Sequence, residues 1–137
     1  MFGSNELANR MPLEAYRGWL QRLVATLVNA GVIPVLSTIP HRTDNAIAAG
    51  RVAAYNGVIV TVAAEAGVPL WNYWRTLQGP EMVAAGMAPD GIHPNAMGFG
   101  GVLTPSGLRY GFNQRNLTAL QVLARLKQVV YEDGPPD

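Results

Sequence analysis

Cysteine is absent from this chain of 137 residues, which excludes disulfides, thiolate metal sites and a cysteine nucleophile while leaving the compartment open. Charge is sparse too. Ten Lys or Arg stand against nine Asp or Glu, for a formal net charge of +1, and no run of one sign occurs. Without a basic patch, nucleic acid and anionic membrane surfaces are not expected partners. Histidine occurs twice and serine three times, so imidazole or hydroxyl chemistry has few candidates. No His, Asp or Glu cluster has metal-ligand spacing, and "GFGG" follows no strand and lacks the lysine of a phosphate loop. No metal or other cofactor is implied. The opening "MFGSNELANRMPLEAYRGWL" has no basic segment leading into an apolar one, so it does not read as a signal peptide. The most apolar stretch, 46–66, carries Arg51, Asn56 and Glu65 and reads as a helix buried in a globular protein, not as a membrane span.

What is present is enough apolar sequence, 49%, for one domain with a core. Leu13, Tyr16, Leu20, Leu23, Val24 and Leu27 recur at helical spacing, with Pro12 suited to the first turn and Gly31 to the end. "VIPVLST" follows as a short β-branched run without alternation, the pattern of a strand covered on both faces. The unit then repeats. Asp44 or Asn45 can cap a helix reaching about Ala66, Gly67 closes it, and "VPLWNYW" is the next strand. Two such units predict a parallel sheet with helices on its faces. Residues 79–111 read mostly as loop, with a short helix near "PEMVAAG", and Asn113 is the expected cap of a last helix carrying Leu117, Leu120, Leu123, Leu126 and Val130. The domain is set at 1–131, with 132–137 a polar tail. "MF" resembles the stub of a strand, with "GSNE" the loop after it. Two strands alone make a poor sheet with an open edge, so further strands are expected from a missing N-terminal segment or a partner chain.

Two short stretches can carry chemistry. In "PDGIHPN", one turn would present both a carboxylate, Asp90, and an imidazole, His93. That is what serine-type hydrolysis asks of its base and the group orienting it. The plainer use is a capped turn with a surface histidine. In "GSNE", Gly3 and Asn5 would lie at the carboxyl edge of the sheet, where open α/β sheets place their ligands. An amide there can donate to a developing oxyanion, or Asn5 can simply cap the next helix.

Together and in this order, "GSNE" and "DGIHPN" resemble the G-x-N-D and D-x-x-H-P-N blocks of the SGNH/GDSL hydrolases, a lipase- and esterase-type family. The intervening "GVIPVLSTIP" and "YNGVIVTVAAEAGVPL", and the closing "TPSGLRYGFNQRNLTALQVL", are similar to such members too. The resemblance implies a flavodoxin-like three-layer α/β/α fold with a parallel sheet, here incomplete because the first strands are missing. It implies an enzyme that cleaves acyl or acetyl esters, from a small molecule or an acylated carbohydrate, through a serine acyl-enzyme. By the same resemblance Asn5 is an oxyanion donor, His93 the general base and Asp90 its orienter. Glu6 departs from the family's Asp, which puts the geometry around Asn5 in question. The larger departure is that no G-D-S nucleophile block occurs, nor the second block that supplies an oxyanion glycine. Ser4, Ser37 and Ser106 are the only serines; Ser37 follows a strand but lacks the elbow that exposes a nucleophile. The chain alone is therefore expected to be nearly inactive. The rival expectations are a non-catalytic binding remnant of the fold, and another flavodoxin-like domain whose D-x-x-H is accidental. Among further residues, His41 would line the rim of a site and Trp71, with Tyr73 and Trp74, would shape an acyl or sugar pocket, the plainer uses being solvation and packing. Arg109 and Arg115 can contact an anionic substrate group or make structural hydrogen bonds.

Overall fold

The computed structural model describes residues 3–96 and 100–132, with only the backbone of Glu81, Val83 and Ala84. Along the chain run α1 (Ser4–Ala8), α2 (Leu13–Asn29), β1 (Leu36–Ser37), α3 (Ala46–Glu65), β2 (Leu70–Trp71), α4 (Tyr73–Thr76), α5 (Pro80–Ala85) and α6 (Gly111–Lys127). A 3-10 turn at Gly107–Arg109 precedes α6 and a π turn at Gln128–Glu132 follows it. β1 and β2 run parallel, with Leu36 opposite Leu70 and Ser37 opposite Trp71. The protein is thus mixed α/β, with a two-stranded parallel sheet among the described residues.

Local chemistry sets the boundaries. Pro12 (φ −57°) precedes α2, and Gly31 (φ 74°) turns the chain out of it in the left-handed region. Asn45 caps α3, its Oδ1 accepting from the amides of Ile47 at 2.8 Å and Ala48 at 3.2 Å, and Gly67 (φ 62°) ends that unit. The paired parts of the strands are shorter than 32–38 and 68–74. Side chains replace the ladder at their ends: the Trp74 amide donates to Thr38 Oγ1 at 2.8 Å, and Asn72 Oδ1 accepts from the Arg75 amide to start α4. Asn113 does not cap α6. The helix begins two residues earlier, at Gly111, where a side chain would collide with the Gly86 carbonyl. Asn113 is instead buried, taking the Gly101 amide at 2.8 Å and donating to the Gly107 carbonyl at 3.0 Å. "GSNE" is helical rather than a loop, and Asn5 lies inside α1 rather than capping it. The expected strand stub at residues 1–2 and all of the tail but Glu132 lie outside the described residues.

Most of the core lies between α2 and α3. Tyr16, Leu20 and Val24 from α2 meet Val52, Tyr55, Ile59, Val62 and Ala63 from α3, joined by Leu7, Leu36 and Ile39. By length and composition α3 could cross a membrane, but its buried residues recur at helical spacing and pack into this core. Asn56, buried on the same face, accepts from the Ile39 amide at 2.8 Å and donates to its carbonyl at 3.0 Å. One side chain thereby does for the end of β1 what a neighbouring strand would do. A smaller cluster of Tyr73, Leu77, Met82 and Met87, with Trp71 against it, supports the loop that follows α5.

Candidate active site

The loop after α5 is held by its own backbone. The Ala88 amide donates to the His93 carbonyl at 2.8 Å, the Asn95 amide to the Gly86 carbonyl at 2.8 Å, and Met87 bridges Pro94. Within it Asp90 Oδ1 accepts from the amides of Ile92 at 2.9 Å and His93 at 3.0 Å, while Oδ2 lies 2.7 Å from His93 Nδ1. The His93 amide, then its ring, then the Ile92 amide hold the Asp90 carboxyl well below the usual carboxylate range. An ionised carboxylate only accepts, so in a neutral His93 ring the proton sits on Nδ1 and the lone pair on Nε2. Gly91 makes the spacing work. It has φ 67°, its carbonyl takes the Thr43 amide at 2.9 Å, and a Cβ there would strike the Asp44 amide and the Thr43 hydroxyl.

That contact docks the loop on residues 38–45. Arg42, itself buried, clamps Asp44 through two nitrogens at 2.7 and 2.8 Å and sends a third to the Ser4 carbonyl at 3.4 Å. The guanidinium hydrogen bond holds the Asp44 carboxyl below its ordinary value. At the start of α1, Gly3 has φ 117°, and a Cβ there would meet the Tyr16 hydroxyl at 2.7 Å. Glu6, the departure from the family's Asp, folds back so that its Oε2 takes the Gly3 amide at 2.8 Å, as in a capping box. The longer side chain is thus accommodated at the helix start.

A cavity of about 320 Å³ opens where these pieces meet. Gly3, Ser4, Asn5 and Glu6 line it from α1, and Ile92, His93 and Pro94 from the loop; Pro40 and Arg115 complete it. Asn5 and His93, 88 positions apart in sequence, therefore share one cavity. Both Asp90 and His93 are open to solvent, with side-chain exposures of 47% and 74%.

Two of the other sequence candidates lie elsewhere. Trp71 lines a neighbouring cavity of about 210 Å³ and donates its indole N–H to Thr118 Oγ1 at 3.0 Å. His41 is only partly exposed. Both ring nitrogens are buried, neither has a hydrogen-bond partner among the described residues, and burial lowers its pKa. Ser37 lines the Trp71 cavity, its hydroxyl donating to the Thr38 carbonyl at 3.0 Å, and Ser106 pairs with Thr104. Ser4 does reach the Asn5–His93 cavity, but among the described residues no serine hydroxyl hydrogen-bonds to His93. Among those residues too, no three His, Asp or Glu side chains are grouped to hold a metal. Pro40 and Ile92 were not singled out by sequence reasoning. No local signal marks them, because only the docking of the two loops makes them walls.

Compared with known families, residues 1–99 match the GDSL-like Lipase/Acylhydrolase family. That span is well over half of the chain, and the chain belongs to this family. No curated protein and no solved structure gave a significant match.

Proposed function

We propose that the chain is the base-and-oxyanion part of a serine ester hydrolase that cleaves an acyl or acetyl ester of a small molecule or carbohydrate. His93 Nε2 takes the proton of the attacking hydroxyl and returns it to the leaving oxygen, while Asp90 holds Nδ1–H and stabilises the imidazolium as it forms. The Asn5 amide donates to the oxyanion of the tetrahedral intermediate, a contribution on the order of 3 kcal/mol at such sites. Gly3 gives close backbone access beside it. The observation that carries this reading is the 2.7 Å Asp90–His93 pair on a cavity shared with Asn5.

No G-D-S block occurs in these 137 residues, and in this reading the nucleophile is supplied from outside them. Residues 1–131 then form one part of a flavodoxin-like three-layer α/β/α domain. Further strands, from an upstream segment or a partner chain, add to the outer edge of β1, the one away from β2, where no strand lies among the described residues. An aryl-acetate assay on the chain alone, and on the chain extended with its upstream coding sequence, tests this. The isolated chain should stay near the uncatalysed rate. The extended chain should be active and lose roughly a thousandfold on His93→Ala, within the usual range for a general base. High activity of the isolated chain, abolished by Ser37→Ala, would overturn the proposal.

The same open β1 edge, with no serine hydroxyl on His93, favours a second reading: a non-catalytic module that binds a ligand or a partner chain. The coding sequence upstream of Met1 separates the two. An in-frame G-D-S within about a hundred codons, the span of a domain, supports the enzyme, and its absence supports the module.

A further inference from the structure

The cavity shared by Asn5 and His93 also holds a cation that the proposed chemistry does not use. Arg115, in the first turns of α6, lines this cavity and equally the neighbouring one of Tyr16, Ser37 and Trp71, so it stands on the wall between them. Its guanidinium carbon lies 5.9 Å from the centroid of the Phe112 ring. Half-buried as it is, it has no carboxylate within ion-pair reach and no hydrogen-bond acceptor among the described residues. The one carboxylate on the same wall, Glu6, is turned onto the Gly3 amide. A guanidinium carries five donors in a rigid fork that matches an oxyanion group two bonds at a time, and such bonds are strongest where water is partly excluded.

We infer that Arg115 sets substrate choice by binding a carboxylate borne on the ester, so that the substrates are small anionic esters rather than neutral lipids. The inference rests on the ester-hydrolase reading of this cavity. Arg115 on α6 and His93 on the loop line the one cavity from different elements, so a single ligand can present its ester to His93 and its carboxylate to Arg115. Arg115 is thus a specificity residue and takes no part in proton transfer.

The test is a two-probe titration of the full chain, followed by its backbone amide NMR signals. Monomethyl succinate carries an ester and a carboxylate; dimethyl succinate is its neutral counterpart. Both should shift the amides of Asn5, Ile92 and His93, with monomethyl succinate binding about tenfold more tightly or better, as one charge-assisted hydrogen-bonded pair provides. Arg115→Gln should abolish that preference without changing which amides respond, and Arg115→Lys should keep part of it. Equal affinity for the two probes in the unmodified chain, or a preference that survives Arg115→Gln, overturns the inference and leaves the ester site standing. Failure of both probes to move these amides overturns the ester site and the inference together.

Discussion

The α2–β1–α3 half and the half from α5 onwards are built on different principles. In the first, eleven buried residues, joined by Leu7 of α1, form one continuous core, and Asn56 inside it bonds to both the amide and the carbonyl of Ile39. In the second, the loop that carries Asp90 and His93 is held by backbone bonds, a glycine and one carboxylate, with both side chains facing water. Near its far end Leu120 and Leu123 of α6 are 56% and 60% exposed. The difference teaches where stability and chemistry reside. Packing fixes the scaffold, and a small polar network, with little apolar burial beneath it, sets the candidate site.

Four changes probe this contrast. The largest stability effect should come from Ile59→Ala, which empties a 1%-exposed position between α2 and α3. It should cost about 3 kcal/mol, measured as a fall in the urea midpoint at unchanged slope. Next comes Gly91→Ala, where φ 67° and the collision with Asp44 and Thr43 act together. A loss of about 2 kcal/mol is expected, together with displaced amide signals over 88–95 and none of comparable size in α3.

Acidification should act first on the His93 loop and on its docking to the 38–45 segment. Both Asp90 and Asp44 are held below their ordinary values in the folded protein. The stability they contribute is therefore complete above the unfolded carboxylate range, near pH 4, and is lost as pH falls through the depressed folded values. Hydrogen exchange followed from pH 6 to pH 3 should show the 86–95 loop opening before α2 and α3 do. The smallest effect belongs to Leu123→Ala, which should stay within about 0.5 kcal/mol because the side chain is already in water. A loss as large as that of Ile59→Ala would show that α6 is covered in solution.

Much of this was legible in the sequence because the signals were local. Glycines after periodic helices marked both αβ units, and Asn45 capped where a capping residue stood. Asp90 and His93 could be paired from their spacing because a turn closes over three residues. What escaped needed distant contacts. α1 forms at "GSNE" because Glu6 returns to the Gly3 amide. His41 reads as a solvated rim residue, yet its ring nitrogens are buried in a loop drawn in by Arg42–Asp44 and by Gly91. Trp71 reads as a pocket wall beside the site, but it lines the neighbouring cavity. Arg109 and Arg115 could both be singled out near the start of the last helix, but only the meeting of α6 with the His93 loop puts Arg115, and not Arg109, on the cavity.

The most direct test is the tautomer of His93, one of only two histidines in the chain. Ring-nitrogen NMR in mildly alkaline solution should find the proton on Nδ1 and the lone pair on Nε2, with this preference lost in Asp90→Asn. A His93 ring that carries its proton on Nε2, or that is indifferent to Asp90→Asn, would contradict the assignment of His93 as a base held by Asp90.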